Sequence, residues 1–198
     1  MVPLLLLTVG HQLPTCALEH SQPRAIVAGW KDDLGSTKGW KSLPVENRVK
    51  VQAPKHGLMR LSLGHVVDGW PYEYQWSGVT KDVRGDIGRY PALMARLVDV
   101  QGYTHLDIEV LDAQGKVTKS MRSSTLTAPG LCTIDLSKHL DPAVYRLRLR
   151  LIVGGPNEGC SSTYDWIRFL RPSDAEQAEK EAVQNRKTEE PRGSSIRQ

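Results

Sequence analysis

The chain has little of what usually announces chemistry. Its three cysteines, Cys16, Cys132 and Cys160, show no CxxC spacing, which argues against a zinc site. The six histidines, at 11, 20, 56, 65, 105 and 139, are scattered with no i,i+2 or i,i+4 pairing. There is no GxGxxG, P-loop, HExxH or GxSxG motif, so nucleotide binding, zinc peptidase and α/β-hydrolase chemistry lack an anchor. No stretch reaches the ~18 apolar residues that a membrane-spanning helix needs. Charge of one sign is also scarce: the net charge of +4 is mild, and no RNP-like aromatic and basic motif accompanies it, which leaves nucleic acid without support.

What is present is an ordinary globular composition, 39% hydrophobic and 24% charged over 198 residues, enough for one folded body with tails. At the amino terminus, "VPLLLLTVG" followed by "PTCA" has the outline of a secretory signal peptide over residues 1–17, although no Lys or Arg precedes the apolar run. "LPTC" also has a slight look of a lipoprotein box at Cys16. The expectation is a secreted or periplasmic protein, the alternatives being a displaced start or a buried amino-terminal strand. In an oxidising compartment Cys132 and Cys160 could pair; otherwise they are two buried thiols.

From Trp30 onward the chain reads as short strands set between turn residues. Strands are expected at 48–53, 58–64, 72–83, 92–100, 104–112, 116–121, 131–137, 144–154 and 163–170, separated by stretches such as "APKHG", "DAQG", "TAPG" and "GGPNEG". In "THLDIEVLD", Leu106, Ile108 and Val110 alternate with His105, Asp107 and Glu109; in "YRLRLRLIV", Leu147, Leu149 and Leu151 alternate with Arg146, Arg148 and Arg150. Each pattern is that of a half-buried antiparallel strand. Many strands and no periodic helix between them predict an all-β fold, an antiparallel β-sandwich or jelly roll, over residues 24–170. Residues 171–198 lack aromatics and balance six basic against six acidic side chains, and read as a charged flexible or helical tail.

Twelve aromatic residues serve the whole chain, and four of them, Trp70, Tyr72, Tyr74 and Trp76, fall at alternate positions of "WPYEYQW". On a strand they share one face. Gly69 and Pro71 point to an edge or loop for the first three, whereas Trp76, just before "SGVTKDV", and Trp166 are expected in the core. Trp30 and Trp40 lie in the loop-like "GWKDDLGSTKGW", from which Trp40 could fold over the rim as a contact residue.

Two stretches, "YRLRLRLIVGGPNEGCSSTYDWIRF" and "WSGVTKDVRGDIGRYPALMARLVDV", resemble the final and middle sections of galactose-binding-like jelly rolls, a group that includes many carbohydrate-binding modules. The similarity covers about residues 58–170. It implies a noncatalytic domain, needing no cofactor though a structural calcium ion would be in keeping, and usually attached to a glycoside hydrolase or lyase. No such enzyme lies within these 198 residues; it would be a separate chain, or this sequence a fragment of a larger enzyme. The pyranose ring stacks its C–H face on Trp or Tyr while its hydroxyls seek polar partners, which selects Trp70, Tyr72, Tyr74 and Trp40 as the platform, with Asp68, Asn157 and Glu158 at its edge.

The alternatives are of other classes. The same aromatics would suit a protein–protein interaction or adhesion sandwich in the cell envelope. An enzyme is the third reading: Asp107 and Glu109 could flank a glycosidic bond, but on an alternating strand they pair or face water, and the basic and aromatic strand of jelly-roll polysaccharide lyases is missing. No catalytic residue is assigned. Arg146, Arg148 and Arg150 could grip sulfates or uronic carboxylates, or pair with Asp107 and Glu109 on a solvated sheet face.

Overall fold

Alternating apolar and polar residues build most of this molecule. The computed structural model describes residues 28–43, 49–52, 57–63, 76–155 and 159–189. In β10 (Val144–Gly154), Leu147, Leu149 and Leu151 are fully buried while Arg148 and Arg150 between them reach the outer surface. Its neighbour β7 (Tyr103–Leu111) buries Leu106 and Ile108 against the same core. The two run antiparallel with Arg148 opposite Glu109 and Arg150 opposite Asp107, so the charge alternation of each strand meets its complement on the other.

One sheet has five strands in the order β2 (Lys41–Ser42), β5 (Trp76–Asp86), β10, β7 and β8 (Val117–Arg122). The other runs β3 (Val49–Gln52), β4 (Met59–Leu63), β11 (Ser161–Leu170), β6 (Ala92–Gln101) and β9 (Gly130–Asp135), with β1 (Ala28–Asp32) pairing the far end of β11. All these pairs are antiparallel, and the two sheets stack as the β-sandwich expected from the strand pattern.

The core lies between them. Met59, Leu61, Leu93, Leu97, Tyr164 and Phe169 from the six-stranded sheet meet Val79, Leu106, Ile108, Leu147, Leu149 and Leu151 from the five-stranded one. One polar tie crosses this apolar layer: the buried Tyr164 and Thr104 hydroxyls bond to each other, and Thr104 also donates to the Ile152 carbonyl. Burial pushes the Tyr164 phenol well above its ordinary range, so it stays neutral and able to donate. The turn from β6 to β7 needs Gly102, whose φ is +96° and where a Cβ would lie 2.4 Å from the Gly154 carbonyl.

Three features add to or alter the expectation. β1 and β2 arise from the glycine-rich segment read as loop, because each is a strand only by pairing with β11 and β5. Cys132 and Cys160 are both buried and no disulfide joins them, which is the second of the two readings; burial pushes the Cys132 thiol up to about 11. Third, α1 (Pro172–Glu189) has a docked face. Proline suits its first position and Ala, Glu and Gln favour its length, while Ala175 and Ala178 pack against Ala92, Met94 and Leu170 on the outer side of the six-stranded sheet. Arg171 donates from Nε to the buried Asp174 carboxylate at 2.6 Å, which anchors the first turn.

Candidate functional site

The outer face of the five-stranded sheet is where polar side chains converge. Because strand neighbours share a face, successive rungs can be read straight from the register. Trp76 stands opposite Gly154 and Tyr103, Gly78 opposite Ile152 and His105, Thr80 opposite Arg150 and Asp107, and Asp82 opposite Arg148 and Glu109. These rungs floor a cleft of about 700 Å³ lined by Trp76, Thr80, Asp82, Glu109, Arg148 and Arg150, with the Gly39–Leu43 segment as its wall. A smaller hollow of about 190 Å³, lined by Asp107, Ser120 and Arg122, shares Glu109 and Arg150 with it. Together they cross all five strands, a span of roughly 19 Å at the usual strand spacing.

The floor is a lattice of paired charges. Arg148 donates from Nε to Asp82 at 2.8 Å and lies 3.8 Å from Glu109, while Arg150 donates from Nη1 to Glu109 at 2.8 Å. The Asp82 hydrogen bond, with Glu109 adding, holds the Arg148 guanidinium even more firmly protonated than usual. Next along, Arg122 grips Asp107 with two hydrogen bonds of 2.7 and 3.1 Å. Burial works against the Asp107 charge, but the Arg122 guanidinium and the His105 ring, 3.6 Å away, outweigh it and hold its carboxyl below the ordinary range. His105 is itself buried, stacked against Tyr103 with ring centroids 6.3 Å apart, and neither of its nitrogens has a hydrogen-bond partner.

At one end stands the aromatic. Trp76 is 39% exposed, and the Arg150 guanidinium sits 6.0 Å from its ring centroid. Gly78 beside it has no room for a side chain, since a Cβ would come within 2.3 Å of the Leu151 carbonyl and 2.8 Å of the Ile152 side chain. The core position expected for Trp76 is therefore corrected. The signal was present in the phase of the strand: Val79 and Val83 are the inward residues, and Trp76 is in step with Gly78, Thr80 and Asp82.

Trp40 is corrected the other way. It was expected as a rim contact and is only 8% exposed. Its indole N–H bonds Asp32 at 3.1 Å, and the Lys81 ammonium, paired with Asp32 at 2.6 Å, lies 5.5 Å from its ring and 5.8 Å from that of Trp30. This lysine held between two indoles pins the start of the cleft wall to β5. Trp70, Tyr72, Tyr74, Asp68, Asn157 and Glu158 lie outside the described residues. Trp166, expected in the core, is instead half-buried in the outer cluster under α1, with the Arg168 guanidinium 4.8 Å from its ring centroid. Among the described residues no cluster of His, Cys, Asp or Glu could hold a metal ion, and no helix is long and apolar enough to cross a membrane.

No protein-family model matches the sequence, and no curated protein matches it. Solved structures do resemble the fold. The family 11 carbohydrate-binding module of a cellulosomal cellulase of Clostridium thermocellum superposes with a TM-score of 0.51 at 15% identity, over 74% of this chain and 96% of that one. The same family's module in complex with a β-1,3-1,4-mixed-linked tetrasaccharide gives 0.48 at 12% identity, over 71% and 94%. The enzymatically active domain of bacteriophage CBA120 tailspike protein 4 gives 0.47 at 15% identity over 70% of this chain, which spans only 20% of the tailspike's length. The fold of this chain is the antiparallel jelly-roll sandwich of carbohydrate-binding modules.

Proposed function

We propose that this chain is a noncatalytic carbohydrate-binding module that holds a polysaccharide or glycan on the outer face of its five-stranded sheet. One observation carries the reading: an exposed tryptophan, Trp76, at the end of a cleft floored by fixed donors and acceptors on hydrogen-bonded strands. The indole supplies the flat apolar surface for the C–H face of a sugar ring, and Asp82, Glu109, Arg148 and Arg150 supply hydrogen-bond partners for its hydroxyls. The carboxylates are each engaged by arginine, which suits binding better than proton transfer. The amino-terminal apolar run supports work outside the cytoplasm, secreted or in the periplasm.

Affinity gels cast with a panel of polysaccharides test this. Trp76→Ala is expected to weaken binding about thirtyfold, the worth of the roughly 2 kcal/mol lost when an anchoring aromatic is truncated, with an unchanged unfolding midpoint. Trp70→Ala and Tyr74→Ala run alongside show whether the preceding aromatic stripe shares the work. Retention that no polysaccharide produces, or that Trp76→Ala leaves intact together with both stripe variants, would falsify the reading and turn attention to a protein partner.

A further inference from the structure

A row of arginines across a sugar cleft suggests acidic sugars, but their partners point elsewhere. On the cleft floor two guanidiniums, Arg148 and Arg150, meet two carboxylates, Asp82 and Glu109, on three adjacent strands, so their formal charges cancel. The adjoining hollow is closed in the same way by Arg122 and Asp107. Lys81, behind the wall, is spent on Asp32. Lys41, exposed at the β2 edge, is the lining cation without an ion pair among the described residues, and it stands at the rim.

An anionic sugar entering this cleft meets no unmatched positive charge on the floor. To take an arginine it must displace Asp82 or Glu109, exchanging one ion pair for another and leaving a carboxylate beside its own. A hydroxyl needs no such exchange. It donates to a spare lone pair of Asp82 or Glu109 and accepts from a spare N–H of Arg148 or Arg150, and the alternation of donors and acceptors across the strands matches hydroxyls on neighbouring ring carbons. The pairs also hold each other in place before the ligand arrives, which lowers the ordering cost of binding.

Building on the carbohydrate reading, we infer that the cleft selects neutral, hydroxyl-rich glycans and rejects polyuronates and sulfated chains. The test is an affinity-gel and calorimetric comparison of neutral glucans, xylans and mannans with polygalacturonate, alginate and a sulfated galactan, each at about 0.05 M and about 0.5 M salt. A neutral polysaccharide is expected to bind with a Kd that changes less than about twofold between the two salt concentrations, because no net charge is screened. Glu109→Gln frees Arg150 and gives the floor a net positive charge. It should weaken neutral binding and raise polyuronate affinity about tenfold, the worth of one charge-assisted hydrogen bond. Asp82→Asn, at a more exposed carboxylate, should act in the same direction and covers the case in which Glu109→Gln fails to fold. Preference of the wild type for polyuronate or sulfated chains, or a Kd that climbs steeply with salt, overturns the inference and leaves carbohydrate binding standing. Retention by no polysaccharide of either kind removes both.

Discussion

On the outer side of the six-stranded sheet, Ala92, Met94 and Leu170 are sealed by Ala175 and Ala178 of α1, whereas on the outer side of the five-stranded sheet Asp82, Arg148, Glu109 and Arg150 stay within reach of solvent around Trp76. Both faces belong to strands whose inner sides are equally buried. The difference is therefore in what each outer side can do with water. Small apolar side chains gain by being covered, and a helix of alanine and charged residues covers them. Paired charges lose by being covered, since the desolvation of both partners offsets their attraction. A face of the second kind stays open unless something that can replace its water, such as a chain of hydroxyls, lies on it.

The comparison breaks first if a charge is tolerated equally on both sides. Met94→Lys places an ammonium beneath α1 at a fully buried position and is expected to cost about 3–4 kcal/mol in urea unfolding. Ser120→Lys, exposed opposite Glu109 on the other face, is expected to stay within about 0.5 kcal/mol of wild type. Equal losses at the two sites would mean that the open face is as dry as the covered one. A second, smaller effect is expected from the helix side. Ala178→Glu puts bulk and charge where only a methyl fits, so α1 should undock at a cost of about 2 kcal/mol, read as faster amide exchange confined to 172–189 and to β6 and β9 beneath it. Exchange spreading evenly through the core would show that the helix is part of the sandwich's cooperative unit rather than a cover on it.

How much of this was legible follows from range along the chain. The alternation in β7 and β10 is local, so both strands and their inner leucines could be read from the sequence, whereas the ion-paired reading of the arginine row holds only in part: Arg148 and Arg150 meet Glu109, but Asp107 is taken by Arg122 and Asp82 was not foreseen. β1 and β2 could not, since five and two residues become strands only when β11 and β5 lie beside them. The burial of Trp40 rests on Asp32 and on Lys81, 41 positions further along, a meeting that no window of sequence contains. Trp76 was legible and misread: its large ring suggested core, while the phase of Val79 and Val83 placed it outside. Periodicity decides the face of a strand residue more reliably than size does.

The finest distinction between the two faces is the acid response of the open one. Asp107 is buried on the outer side of β7 yet ionised, held there by Arg122 and by the nearby His105 against the cost of burial. A carboxyl whose folded value lies below its unfolded value, about 4, contributes stability that is fully present above that pH and is lost as pH falls through the folded value. Wild-type stability should therefore decline below about pH 4, and Asp107→Asn should decline less steeply over the same range, the two curves drawing together as the wild-type carboxyl takes up its proton. Urea titrations at a series of pH values measure this. Parallel curves would show that Arg122 and His105 leave Asp107 no easier to ionise than in the unfolded chain, and the charge lattice would then end at Glu109 rather than run to the β8 edge.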